Sequence, residues 1–143
     1  MLKEGLATKY EPLQTESLNV LDSICQVMLT DFGAYFKDFM PMMIEILQNV
    51  GASNVSEMKL RAKTIDTIGS IIIAVSDCEE KLNFQQGVCE ITEFLAKALQ
   101  GGFSDDDPQD EACKNTLTQC AGFLQKDFAR YMPFLLEHLV KDA

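Results

Sequence analysis

Twelve residues near the first quarter of this chain are echoed near its end. Phe36-Lys37-Asp38-Phe39-Met40-Pro41-Met42-Met43-Ile44-Glu45-Ile46-Leu47 aligns with Phe128-Ala129-Arg130-Tyr131-Met132-Pro133-Phe134-Leu135-Leu136-Glu137-His138-Leu139. The aromatic-Met-Pro core, a glutamate and a closing leucine recur at an offset of 92 residues, two units of 46. A weaker middle copy, Phe84 to Leu95, sits at an offset of 48 from the first; it keeps Phe84, Glu93 and Leu95 and lacks the proline. A repeated unit of this size is one supersecondary element that cannot bury its apolar face alone, so its copies must stack.

The spacing of apolar residues gives the unit its type. Segments at about 12–29, 36–50, 56–75, 84–99, 108–124 and 128–140 all carry them three and four apart, which is helical spacing. No segment alternates as a strand does, and Ile71-Ile72-Ile73 lies inside a helical period as a fully buried helix end. Ser56 is expected to cap the third helix, Gly101-Gly102 to end the fourth, and Asp107-Pro108 to start the fifth. Pro41 and Pro133 are expected early in their helices, where a missing N–H costs little. The expected fold class is all-α, an α-α superhelix (HEAT-repeat solenoid) of about three helix pairs: 1–54, 55–102 and 103–143, each a helix A followed by a helix B. Leu2, Leu6, Leu139 and Val140 suggest uncapped edges, so the chain is read as an excerpt from a longer array.

Charge and cysteine content narrow the function. Lysine plus arginine number 12 against 22 aspartates and glutamates, a net charge of −10. Such a surface repels phosphate backbones and attracts basic proteins, so no direct nucleic-acid binding is expected. The 5 cysteines are odd in number, form no CxxC and mostly sit in apolar stretches, which suits buried thiols in a reducing compartment. No signal peptide or membrane-length apolar run is present, so the expectation is a soluble intracellular protein without membrane insertion. One histidine, His138, and no HExxH, P-loop, GxGxxG or GxSxG motif leave nothing for a metal, cofactor or catalytic role. Glu90 and Glu93, three apart, are ordinary helix-surface spacing, so the chain is not read as an enzyme.

Three stretches together resemble the importin-β (karyopherin-β) nuclear transport receptors, and most nearly the subgroup importing ribosomal proteins and histones. They are Tyr35 to Pro41 with Leu47-Gln48-Asn49; Leu60 to Ile65 with Ile68 and Ala74-Val75; and Asp105 to Gln109 with Lys126-Asp127-Phe128 and Tyr131-Met132-Pro133. They cover nearly all of the chain after about Tyr10, in the order found mid-way along such receptors. Ser76 departs from the glycine common in relatives after Ala74-Val75. The resemblance implies an armadillo-like superhelix whose B helices line a concave face for basic protein cargo. It also implies partnership with Ran-GTP and FG nucleoporins through the full-length receptor, and shuttling between cytoplasm and nucleus. The alternative is a HEAT scaffold of another assembly, such as a phosphatase scaffold or an assembly chaperone.

If the apolar stripes of the B helices face inward, their opposite faces carry Asp38, Met42, Glu45 and Asn49, then Gln86, Glu90, Glu93 and Lys97, then Arg130, Phe134, Glu137 and Lys141. Glu45, Glu93 and Glu137 hold equivalent rungs. With Glu90 and Asp38 they are candidate partners for lysine and arginine, and Met42 and Phe134 for the apolar stems of those side chains. An ordinary solvated face is the other reading. Asp31 and Lys37 are candidates for a polar link between repeats. The Asp105-Asp106-Asp107 run is explained by the helix start it precedes and lacks the spacing of a calcium loop.

Overall fold

The computed structural model describes residues 2–8, 10–51, 53–78, 81–104 and 106–133. The fold is all-α, and no strand occurs among the described residues. The helices are α1 (Leu2–Ala7), α2 (Glu11–Met28), α3 (Phe36–Asn49), α4 (Val55–Val75), α5 (Gln85–Gly101) and α6 (Pro108–Leu124). Short 3-10 helices at Leu29–Tyr35, Lys81–Phe84 and Gln125–Tyr131 follow α2, precede α5 and follow α6.

One layer consists of α2, α4 and α6 side by side, with α4 in the middle. The position of α4 explains its composition. Thr64, Ile65, Thr67, Ile68, Gly69, Ile71, Ile72, Ala74 and Val75 are all buried, so apolar and small residues run nearly round the helix instead of along one stripe. Its buried threonines satisfy their hydroxyls on the preceding turn, Thr64 Oγ1 to the Leu60 carbonyl and Thr67 Oγ1 to the Lys63 carbonyl, both at 2.8 Å. The second layer is more amphipathic. In α3 it buries Phe36, Phe39, Met40, Met43, Ile46 and Leu47, and in α5 Val88, Ile91, Leu95 and Leu99. Each second-layer helix packs on the first-layer helix that follows it: α1 on α2, α3 on α4, α5 on α6. Glycine is required at Gly69, where an added Cβ would come within 3.1 Å of Thr116 Oγ1, and at Gly102, whose φ of 81° ends α5 as expected.

Several local expectations change. Helix α1 was not foreseen, and Leu6 is 1% exposed, a core residue and not a bare edge. Asn54, not Ser56, caps α4, accepting from the Glu57 N–H at 2.9 Å; a cap must have extended backbone just before the first turn, and Asn54 does. Asp107 caps α6 as expected, accepting from the Gln109 N–H at 2.9 Å. Ile71 and Ile72 are fully buried, but Ile73 is 50% exposed because α4 has no neighbour on that side. Pro41 is the sixth residue of α3, beyond the first turn, so the Lys37 carbonyl loses its usual partner four residues on. The sixth expected helix begins later than Phe128. The chain there is a 3-10 helix through Tyr131, then helical at Met132 and Pro133, and the rest of that element lies outside the described residues.

The backbone recurs at 96 residues, not 92. Helices α2 and α6 both end on a residue of positive φ, Leu29 (50°) and Gln125 (51°). Each enters a seven-residue 3-10 helix carrying Asp-Phe-x-x-Tyr. Phe32 and Tyr35 pair at 6.1 Å between ring centroids, and Phe128 and Tyr131 at 6.0 Å. A four-residue shift is about one helical turn and leaves the same face inward, so an apolar pattern matches nearly as well at either offset. The Met-Pro pair favours 92, and the helix ends decide for 96.

Candidate protein-binding groove

Between α3 and α5 runs a groove of about 790 Å³, lined by Phe36, Lys37, Met40, Pro41, Ile44, Glu45, Gln48 and Asn49 on one wall. Asn83, Gln86, Gly87 and Glu90 form the other. The two helices are held together at their starts. The Phe36 and Phe84 rings stand 4.6 Å apart, and Gly87 lets Phe36 approach so closely that an added Cβ would lie 3.1 Å from its ring. The groove therefore has an aromatic and thioether floor and walls of amides and carboxylates, with Lys37 as its one cation among the described residues. Pro41 lies on the wall together with Lys37, whose carbonyl it deprives of a helical partner.

Glu45 and Asn49 also line a second hollow of about 700 Å³, between the ends of α1 and α3 and the starts of α2 and α4. Met42, Glu11 and Glu57 are there too. Glu57 is held from one side, its Oε1 accepting from Ser53 Oγ at 2.6 Å and from Asn54 Nδ2 at 2.7 Å. Glu45 is thus the ridge between two acidic concavities.

The structure brings some of the sequence candidates together and separates others. Glu45 and Glu90 share the α3–α5 groove, and Met42 borders the adjoining hollow. Glu93 does not join them. It pairs with Lys97 at 2.8 Å, and both side chains are largely exposed. The Lys97 hydrogen bond and charge hold the Glu93 carboxyl below its ordinary range. Its neighbours in a small hollow of about 240 Å³ are Ala96, Lys97, Arg130 and Tyr131, a mixed-charge corner. Asp38 is exposed in the first turn of α3, where its charge favours the helix dipole. Phe134 and Glu137 lie outside the described residues. Asp31 and Lys37 are both exposed. A polar link of the expected kind occurs at the place equivalent to Asp31: Gln85 Nε2 at the start of α5 donates to Asp127 Oδ2 at 2.7 Å.

Gln48, Asn83 and Pro41 were missed as groove residues. The face opposite the buried stripe supplies Glu45, Asn49, Gln86 and Glu90 to the groove and leaves Asp38 in open solvent. Side chains that face the neighbouring helix lie about a quarter-turn round, and the spacing Pro41, Ile44-Glu45, Gln48 was the available signal.

Cys25, Cys113 and Cys120 are buried in the core, and Cys78 and Cys89 are half-buried. Burial pushes Cys25 and Cys113 up to about 12 and Cys120 up to about 11. Among the described residues there is no group of three or more His, Cys, Asp or Glu side chains placed to hold a metal ion. Nor, among them, is any helix long and apolar enough to cross a membrane.

The fold is a two-layered, HEAT-like stack of helices with a groove bearing Glu45 and Glu90 between second-layer helices. No family model and no solved structure matches the chain. Among curated proteins it is similar to a probable importin-5 homolog of Dictyostelium discoideum, 27% identical over 124 residues. That match covers 87% of this chain and 11% of the relative's length.

Proposed function

We propose that the chain is a mid-receptor segment of an importin-β-type nuclear transport receptor, and that its α3–α5 groove takes basic segments of protein cargo. The observation that carries the binding role is the presence of Glu45 and Glu90 on opposite walls of one groove with a Phe36-Met40 floor. A lysine or arginine laid along it meets a carboxylate on each side, and its methylene stem rests on apolar surface. The similarity to the importin-5 homolog and the helical stack support the transport role. In this reading the three repeats at about 1–54, 55–102 and 103–143 belong to one continuous solenoid. The receptor releases cargo under Ran-GTP, meets FG nucleoporins through other repeats, shuttles between cytoplasm and nucleus, and performs no catalysis.

Fluorescence anisotropy with a labelled lysine- and arginine-rich peptide tests the groove. The Glu45→Lys/Glu90→Lys double variant should bind at least about tenfold more weakly at low salt, as expected for two charge contacts made repulsive. Glu93→Lys should change affinity little, since Glu93 already has Lys97 as its partner. Unchanged affinity in the double variant rejects the groove as the site.

A further inference from the structure

The hollow bounded by α1, α2, α3 and α4 is lined by three carboxylates and, among the described residues, by no cation. Glu11 opens α2, Glu45 lies one turn before the end of α3, and Glu57 lies in the first turn of α4. Among the described residues none of the three forms an ion pair. Four helix termini also meet here, each carrying about half a charge. The starts of α2 and α4 are positive and the ends of α1 and α3 negative, so they offset one another and the carboxylates set the field.

A buried amide supplies a second, independent observation. Gln14 is 6% exposed and lines the same hollow. Its Nε2 donates to the Leu6 carbonyl of α1 at 3.3 Å, and no described donor reaches its Oε1. A buried acceptor left without a donor is costly, and an N–H brought by a ligand removes that cost. Glu57 spends its Oε1 on Ser53 Oγ and Asn54 Nδ2, and its Oε2 also accepts from no described donor.

The next junction along the chain meets the same need with a side chain of its own. Gln14 and Arg61 hold the same register, fourteen residues before the ends of α2 and α4. Arg61 donates from Nη1 to the Leu47 and Val50 carbonyls at the end of α3, and from Nε to Gln109 Oε1. A guanidinium therefore fills the second junction, whereas the first has only the neutral Gln14 and leaves the cation to a ligand.

The lining decides which kind of cation fits. Glu11, Glu45 and Glu57 stand on three different helices and are not grouped to hold a metal ion. Leu6, Met42, Ile46 and Leu60 supply apolar surface in the same hollow. Separate negative groups joined by apolar surface match separate ammonium groups joined by methylenes. A single lysine or arginine side chain carries one charge and would leave carboxylates unanswered. The volume of about 700 Å³ is in the range of small-ligand sites. We propose that this hollow binds an aliphatic polyamine, with its ammonium groups on Glu11, Glu45 and Glu57, an N–H on Gln14 Oε1 and its methylene chain on Leu6, Met42 and Ile46. The site shares only Glu45 and Asn49 with the α3–α5 groove, so it stands whether or not that groove takes cargo.

Titration calorimetry of the 143-residue chain with spermidine at low salt is the test. One molecule should bind per chain, and more weakly when salt is raised to about 0.15 M. Glu11→Gln and Glu57→Gln should each weaken binding at least about threefold, as the loss of one charged contact requires. Glu16→Gln, exposed on α2 and outside the hollow, should leave affinity unchanged. Ala7→Lys places a tethered ammonium on the exposed rim and should abolish saturable binding. In the unmutated chain the Gln14 side-chain amide resonances should shift as spermidine is added and stay in place when magnesium is added at equal ionic strength. The proposal is overturned by the absence of saturable spermidine binding, or by a Gln14 shift that magnesium produces equally. It is also overturned if Glu16→Gln weakens binding as much as Glu11→Gln, which would assign it to diffuse attraction by an acidic surface. Tighter binding of N-acetylarginine amide than of spermidine would assign the hollow to a partner's side chain and overturn it too.

Discussion

Replacing Arg61 with alanine should destabilise this chain more than any other change to a half-exposed residue. Its guanidinium ties three elements: Nε donates to Gln109 Oε1 on α6 at 2.8 Å, and Nη1 donates to the Leu47 and Val50 carbonyls that close α3. Burial draws its pKa below the ordinary arginine value, yet it stays charged at any pH of interest. A hydrogen bond to a charged donor contributes about 1.5–3 kcal/mol, and the positive charge at the end of α3 adds about 0.5 kcal/mol with the helix dipole. After truncation, water can reach the α3 carbonyls in part, so the three contacts do not add in full. The net cost is about 3 kcal/mol, or a fall of about 10 °C in Tm for a chain of this size. Lysine at this position keeps the charge but cannot span three acceptors, and should recover about half of the loss. Urea denaturation followed by far-ultraviolet circular dichroism measures both. An Arg61→Ala midpoint within about 0.5 kcal/mol of the parent would refute the reasoning, as would an Arg61→Lys variant no better than alanine.

Other consequences follow from the same structure. Asn54→Ala removes the cap of α4 and should cost about 1 kcal/mol by urea melts, while Ser56→Ala should be near neutral. Gly69→Val forces two branches into the space occupied by Thr116 and should cost about 2 kcal/mol or more in the same assay. Native titration with a disulfide reagent near pH 8 should leave Cys25, Cys113 and Cys120 unreacted, with all 5 thiols reacting in denaturant. Those three thiols also set an alkaline limit. Their folded pKa values of about 12, 12 and 11 lie above the ordinary 9.0, so the unfolded chain releases protons that the folded one retains. Stability should therefore fall as pH rises through 9.0 towards about 12, read from urea midpoints across that range.

The layered helices were legible because helical periodicity survives small errors of register. The spacing of apolar residues located α3 and α5, and Asp107-Pro108 located the start of α6. What escaped was geometry that depends on a backbone choice with no side-chain signature. Leu29 and Gln125 take positive φ without being glycine or asparagine, and the 3-10 helices they open were read as parts of regular helices or of turns. That choice moved the repeat from 92 to 96 residues. The site was half legible. Glu45 and Glu90 were named and share a groove, while Glu93 turns to Lys97, because which glutamate of a helix reaches a neighbour depends on the crossing of two helices.

The central proposal is that this segment belongs to a cargo receptor of the nuclear import type. It is tested most directly by capturing a basic cargo protein on the complete receptor that carries the segment and adding Ran-GTP. The account predicts that cargo binds, is released by Ran-GTP and not by Ran-GDP, and is bound at least about tenfold more weakly when Glu45 and Glu90 are both lysine. Cargo retained undiminished in the presence of Ran-GTP would contradict it.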